Sequence, residues 1–242
     1  MTQAVLAGVD GCPGGWIAVT GGDGGSLRAE VFGSFAALTA SLPDEAIIAV
    51  DMPIGLPERG GLRSAERAAR AHLGERQSSL FSIPPRAAVY AGGDYRESCS
   101  LSLERTDPPR KVSRQAFGLF PKICELDTLL RSDAALAARI IESHPELAFA
   151  ALNGMNSMSL PKKIKGGRVN PEGLAERRAL LQRCGLPEDF LKSPVPRGAK
   201  EDDFLDACAM YLVARRHARG EARPYPDHVE RDDFGLRMAI WA

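Results

Sequence analysis

Residues 4–19 read AVLAGVDGCPGGWIAV, and the fold turns on how this stretch is read. AVLAGVD (4–10) is an apolar run that ends in Asp10, the pattern of a buried strand. GCPGG turns the chain, and WIAVT (16–20) returns as a second strand. After GGDGG, LRAEVF (27–32) alternates in character and reads as a third strand. A short helix follows over about 34–42, with Ser34 placed to cap it. AIIAVD (46–51) is a second buried apolar run, and it too ends in Asp. These elements predict an α/β protein with a mixed sheet.

Farther along, residues 63–73 carry a helical pattern, whereas about 76–112 is rich in Ser, Pro, Arg and Gly and reads as a long irregular loop. Residues 113–131 place Phe117, Phe120, Ile123, Leu126, Leu129 and Leu130 on one apolar stripe, with Pro121 inside it. ARIIES (138–143) is a short strand that carries Glu142, and ELAFAALNG is a helix closed by Gly154. A basic loop, SLPKKIKGGRVNP, precedes a helix over 171–184, a short helical piece GLPEDFLK and the linker PVPRGAK. One long helix spans about 201–219, and GLRMAIWA reads as a final strand.

The 242 residues suit one domain, 1–242, with an insertion at about 74–135. With 31 basic and 31 acidic residues the formal net charge is zero, so a nucleic-acid site must come from local clustering. No apolar run approaches the roughly 20 residues of a membrane span. The N-terminal sequence lacks the basic and apolar regions of a signal peptide, and a cytoplasmic location is expected. Cys12, Cys99, Cys124, Cys184 and Cys208 are scattered with no C-x-x-C pair, which argues against a zinc site and for reduced thiols.

Asp10, Asp51 and Glu142 all fall at the C-terminal ends of apolar strands, where open α/β sheets form their ligand sites. The last helix opens with DDFLDA (202–207), in which Asp202 and Asp206 stand four apart and Asp203 and Asp206 three apart. Either spacing puts two acids on one helix face. Converging carboxylates repel one another, and a hard cation such as Mg²⁺ or Mn²⁺ relieves that repulsion. Two such ions, ~3.5–4 Å apart, can clamp an in-line phosphoryl displacement. Taken singly, each strand-end Asp also suits a turn, and DDFLDA also suits a solvated first helical turn.

GVDGCPGGWIAV (8–19), DMPIGLP (51–57), ESHPELAF (142–149) and DDFLDACA (202–209), in this order, resemble the DUF429 family of predicted RNase H-like nucleases. LGERQSSLFSIPPR (73–86) and QAFGLFPKICELD (115–127) resemble that family's central region. The resemblance runs from about residue 7 to the C-terminus. It implies an RNase H-like fold, a mixed five-stranded sheet flanked by helices, and a divalent metal held by carboxylates. The last helix is similar to that of RuvC-type Holliday-junction resolvases. By that likeness Asp10, Asp51 and Asp203 or Asp206 would be ligands, and Glu142 matches the family motif. The RNase H pattern's Glu on the first helix has no counterpart in SFAALTASL (34–42).

Several groups could surround such a metal. His144, two residues past Glu142, could act as a general acid or a proton shuttle, or could be a capping or buried histidine. Gly11 and Gly14 could bring backbone N–H groups to a phosphate, or form a plain hairpin turn. Basic groups gather at Arg105, Arg110, Lys111 and Arg114; at Lys162, Lys163, Lys165 and Arg168; and at Arg177, Arg178 and Arg183. Of these KKIKGGR is the best phosphate contact, and otherwise each cluster is a solvated face. Lys122 and Arg86 match family positions and could reach the site.

The leading expectation is a Mg²⁺- or Mn²⁺-dependent nuclease that hydrolyses phosphodiester bonds of DNA or RNA by a two-metal mechanism. The alternatives are a non-catalytic module of this fold that binds nucleic acid or metal, and a phosphotransferase of the actin-like ATPase or sugar-kinase type. The sequence leaves the oligomeric state open.

Overall fold

A computed structural model describes residues 4–61, 63–164 and 167–242. In chain order the elements are β1 (Val5–Cys12), β2 (Gly15–Gly22), β3 (Arg28–Phe32), α1 (Phe35–Ala40), β4 (Ile47–Val50) and α2 (Ser64–Arg70). A 3₁₀ turn (Gly74–Ser79) leads to α3 (Arg86–Val89), α4 (Tyr95–Arg105), α5 (Arg114–Ser132), α6 (Ala134–Arg139) and β5 (Ile140–Ser143). Then come α7 (Pro145–Leu152), α8 (Pro171–Arg183), α9 (Glu188–Leu191), α10 (Glu201–Ala218), β6 (Pro224–Arg231) and β7 (Arg237–Trp241).

The chain divides into two compact units. The first holds the chain up to Asp51, Arg139–Arg223 and Trp241–Ala242; the second holds Met52–Ala138 and Pro224–Ile240. The segment expected as an insertion, about 74–135, falls in the second unit.

The first unit is built on β1. This strand pairs antiparallel with β2, Asp10 facing Ile17, and β2 pairs antiparallel with β3. On its other side β1 runs parallel to β4, and β4 parallel to β5, giving the order β3-β2-β1-β4-β5. The hairpin needs only Pro13-Gly14 between its strands, and Gly15 takes a φ of +122° that a side chain would strain. Parallel β4 and β5 are buried through most of their length, which explains the unbroken apolar sequence of β4 and the paired isoleucines that open β5. Ser34 caps α1 as expected, its Oγ accepting the Ala37 N–H at 3.1 Å.

The helix α10 lies against β1, and one glycine makes this possible. A Cβ on Gly8 would fall 1.9 Å from Tyr211 N and 2.3 Å from the Ala207 carbonyl oxygen. Without that Cβ the strand and helix backbones approach closely, and the run from Phe204 to Ala214 is buried.

The second unit corrects two expectations. The stretch 76–112 is not one irregular loop: it contains α3 and α4. Asp94 starts α4, its Oδ1 accepting the N–H groups of Arg96 at 2.7 Å and Glu97 at 3.3 Å. The buried face of α4 is Ser98, Cys99 and Ser102, so it lacks the apolar stripe that signals a helix. The strand count is the other correction. Among the described residues there are seven strands rather than five, because β6 pairs with β7. β6 carries Pro224 and Pro226, which disguise a strand; an edge strand tolerates them because one side needs no N–H donor.

Among the described residues no helix is long and apolar enough to cross a membrane.

Candidate functional site

The parallel register places the acids of the first unit. Val9 is level with Val50, and Val50 with Glu142. Asp10 and Asp51 each follow by one residue, and the Asp51 N–H donates to the Val9 carbonyl at 2.9 Å. Asp10 and Glu142 are buried, while Asp51 is half-buried. The close packing at Gly8 brings the first turns of α10 to the same strand ends, with Asp206 buried there.

The electrostatics tie these groups together. Burial and the charges of Asp51 and Asp206 hold Asp10 well above the usual carboxylate range. Burial, then Asp206, with Glu142 and Glu146 adding to it, pushes Asp51 up to about 8, against the pull of Lys162. Asp206 is pushed up to about 6 by burial, which Lys162 only partly offsets. These shifts are what gathered carboxylates produce when positive charge is short.

The three acids of DDFLDA divide their roles. Asp206 accepts a hydrogen bond from the Lys162 ammonium through Oδ2, while its Oδ1 is buried with no hydrogen-bond partner. Asp202 pairs with Lys163 at 3.0 Å, and its Oδ1 is likewise buried without a partner. Burial raises Asp202, but the hydrogen bond and charge of Lys163 bring it below its ordinary value. Asp203 is a helix cap: its Oδ2 accepts the Lys200 N–H at 2.9 Å. Its charge still reaches Asp10.

Two participants were not legible as such, and a third, Lys162, was legible only as a phosphate contact of the basic loop. Glu146, in the first turn of α7, receives both Nη2 hydrogen bonds of Arg177, at 2.8 and 3.0 Å. Arg177 belongs to a cluster that reads as solvated, yet it is fully buried, donating also to the carbonyls of Leu160 and Gly173. Lys162 is half-buried. Burial alone would lower its ammonium, but Asp206, Glu146 and Asp10 more than offset this and hold it well above the ordinary lysine value. The one available signal was spacing: Glu146 follows Glu142 by four residues across a strand end.

Other candidates belong to the second unit or are otherwise engaged. His144 is the residue that precedes α7, half-buried, with no side-chain capping bond. The Gly11 N–H donates to Asp10 Oδ1 at 2.7 Å, and the Gly14 N–H donates to the Gly198 carbonyl at 2.7 Å. The glycine turn thus binds its own chain. Lys122 sits on α5 in the second unit. Arg86, also in the second unit, is held by Glu58 at 2.9 Å, by Asp232 at 2.6 Å and by Asp127. Lys165 lies outside the described residues.

The donor set fits a hard cation in its chemistry: oxygen ligands, mutual repulsion and an orphaned oxygen on Asp206. Among the described residues no group of three or more His, Cys, Asp and Glu is gathered closely enough to hold an ion as it stands. The cation now shared by the acids is the Lys162 ammonium.

Fold and site together define a mixed α/β protein with an under-neutralised carboxylate cluster at the ends of parallel strands. The chain belongs to the family described as "Protein of unknown function (DUF429)", which matches residues 8–231. No curated protein and no solved structure matches it.

Proposed function

We propose that this protein is a divalent-cation-dependent nuclease of RNase H-like fold, hydrolysing phosphodiester bonds of nucleic acid. The observation that carries the reading is the convergence of Asp10, Asp51 and Asp206 from three separate elements, with Glu142 beside them and Lys162 as shared cation. The mixed sheet of the first unit supports the fold assignment.

Asp10, Asp51 and Asp206 would hold Mg²⁺ or Mn²⁺, with Glu142 a further donor. A bound ion would supply Lewis-acid stabilisation of the charge that develops on a phosphodiester. The protein's own groups set the stage. Lys162 fixes the orientation of Asp206 and brings positive charge to where a phosphate would lie. Arg177 holds Glu146 rigid behind the cluster. Lys163, exposed and at the site's margin, is free to trade Asp202 for a phosphate.

The test is calorimetric titration of Mg²⁺ and Mn²⁺ into the wild type and into Asp10→Asn/Asp51→Asn, followed by cleavage assays on single- and double-stranded DNA and RNA. Cation binding and cleavage that both vanish in the double variant are the expected result. A wild type that binds no cation, with or without nucleic acid, would overturn the reading.

One observation favours a second reading. Lys162 already serves Asp206 as counter-ion, and no three acids form a ready cage. On that basis the cluster would be an internally balanced element of a non-catalytic module. A wild type that binds no divalent cation, with or without nucleic acid, and turns over no polynucleotide would support it.

A further inference from the structure

The second unit contains a cavity of about 580 Å³ that the carboxylate site does not use. Its size falls within the range of small-molecule sites. Three basic side chains line it, from Arg70, Arg110 and Lys111, and no carboxylate does. Arg70 is anchored: its Nη2 donates to the Leu80 carbonyl at 2.6 Å and to Ser82 Oγ at 2.9 Å. That leaves Nε and Nη1 with no protein acceptor among the described residues. Arg110 and Lys111 are exposed, and their side chains have no ion-pair partner among the described residues.

The backbone adds to the same sign. Ser113 lines the cavity and begins α5, its Oγ accepting the Ala116 N–H at 3.1 Å. This helix has 19 residues and no acid in its first turn, so the positive end of its dipole is not neutralised. A cavity with three cations, a helix N-terminus and no acid is suited to an anion.

Part of the remaining wall is apolar, beside the polar Gln77, Ser78, Ser82, Ser102 and Thr106. Leu80, Ile83 and Val112 are buried behind it, and Phe81 is half-buried. A bare inorganic anion would leave this surface unused. A ligand with a phosphate at one end and a planar or apolar body would use both parts.

We propose that this cavity binds a small phosphate monoester with a planar organic body, of the nucleoside monophosphate class. Arg110 and Lys111 hold the phosphate, Arg70 supplies a fixed second contact, and the body lies against Phe81 and Ile83. This inference stands apart from the nuclease reading and needs no metal.

The experiment is calorimetric titration of the full chain, in chelator, with adenosine 5′-monophosphate, adenosine and inorganic phosphate. Saturable binding of the monophosphate is expected, with adenosine and phosphate each weaker. Arg110→Ala/Lys111→Ala should weaken it by about tenfold or more, with an unchanged unfolding midpoint. Asp10→Asn/Asp51→Asn should bind it as the wild type does, which separates this site from the carboxylate cluster. Equal binding by the Arg110→Ala/Lys111→Ala variant overturns the proposal. So does inorganic phosphate as tight as the monophosphate, which would make the apolar wall irrelevant. A wild type that binds a short single-stranded oligonucleotide but no mononucleotide also overturns it, in favour of a polymer surface.

Discussion

Lys162 in the first unit and Arg86 in the second are each the cation of a buried acidic cluster, and they leave their acids in different states. Arg86 spends its guanidinium on Glu58, Asp127 and Asp232 at once. Its acids have further donors. Asp232 also accepts N–H groups from Leu56, Phe234 and Leu236, at 2.9 to 3.0 Å, and Asp127 accepts the Tyr90 hydroxyl at 2.7 Å. Lys162 gives one hydrogen bond, to Asp206, and must serve Asp10 and Asp51 through space. Those acids are held above the usual carboxylate range. A buried oxygen without a partner does not separate the clusters, since Asp206 Oδ1 and Asp127 Oδ1 both lack one. A polar network rich in donors braces a fold, whereas one short of positive charge is poised to take a ligand. Both clusters are buried and acidic; the number of donors separates a brace from a site.

The comparison can be broken most sharply at the cations. Arg86→Met should cost about 3–5 kcal/mol of stability, because it strands Asp127 and Asp232 in the interior. Urea unfolding with and without Mg²⁺ measures it, and the cation should make no difference. Recovery by Mg²⁺ would mean that the second cluster is also a cation site. Lys162→Met should cost about 3 kcal/mol near pH 8 without divalent cation, and Mg²⁺ should restore most of it. A loss that Mg²⁺ leaves untouched would place Lys162 in the same structural class as Arg86.

Proton binding gives a smaller effect. Folded Asp51, at about 8, keeps a proton that an ordinary carboxylate at 3.8 has given up. Between those values the folded state binds more protons than the unfolded one, so stability falls as pH rises. Asp206, raised to about 6, adds to the fall over the lower part of that window. The unfolding midpoint measured in chelator should therefore drop through the neutral range, and saturating Mg²⁺ should flatten the drop. Asp51→Asn should remove most of the slope and gain about 1 kcal/mol at pH 8. A slope unchanged in that variant would remove Asp51 from the cluster. The least effect is expected at Lys163, whose side chain is 53% exposed. Lys163→Ala should change stability by less than about 1 kcal/mol, as exposed pairs do. A larger loss in the same unfolding assay would show that Asp202 needs its partner.

Much of the first unit was legible. Apolar runs broken by glycine gave β1, β2 and β4, Ser34 gave the start of α1, and strand-end acids pointed to Asp10 and Asp51. The second unit was less so, since α4 buries serines and β6 begins Pro-Tyr-Pro. Neither has the apolar period on which sequence reading depends. Within the site, spacing put Asp202, Asp203 and Asp206 near one another but could not rank them.

The sequence by itself determined some local facts: that the runs of β1, β2 and β4 are strands, that α1 starts at Ser34 and that three apolar runs end in acids. These follow from propensity, capping and period, each decided within a few residues. Only the tertiary structure decided the partnerships. It gave Asp206 to Lys162, Asp203 to a helix cap, Arg177 to Glu146 and Arg86 to a separate brace. Side-chain direction across elements depends on how closely two backbones approach, and here a single missing Cβ, at Gly8, sets α10 against β1.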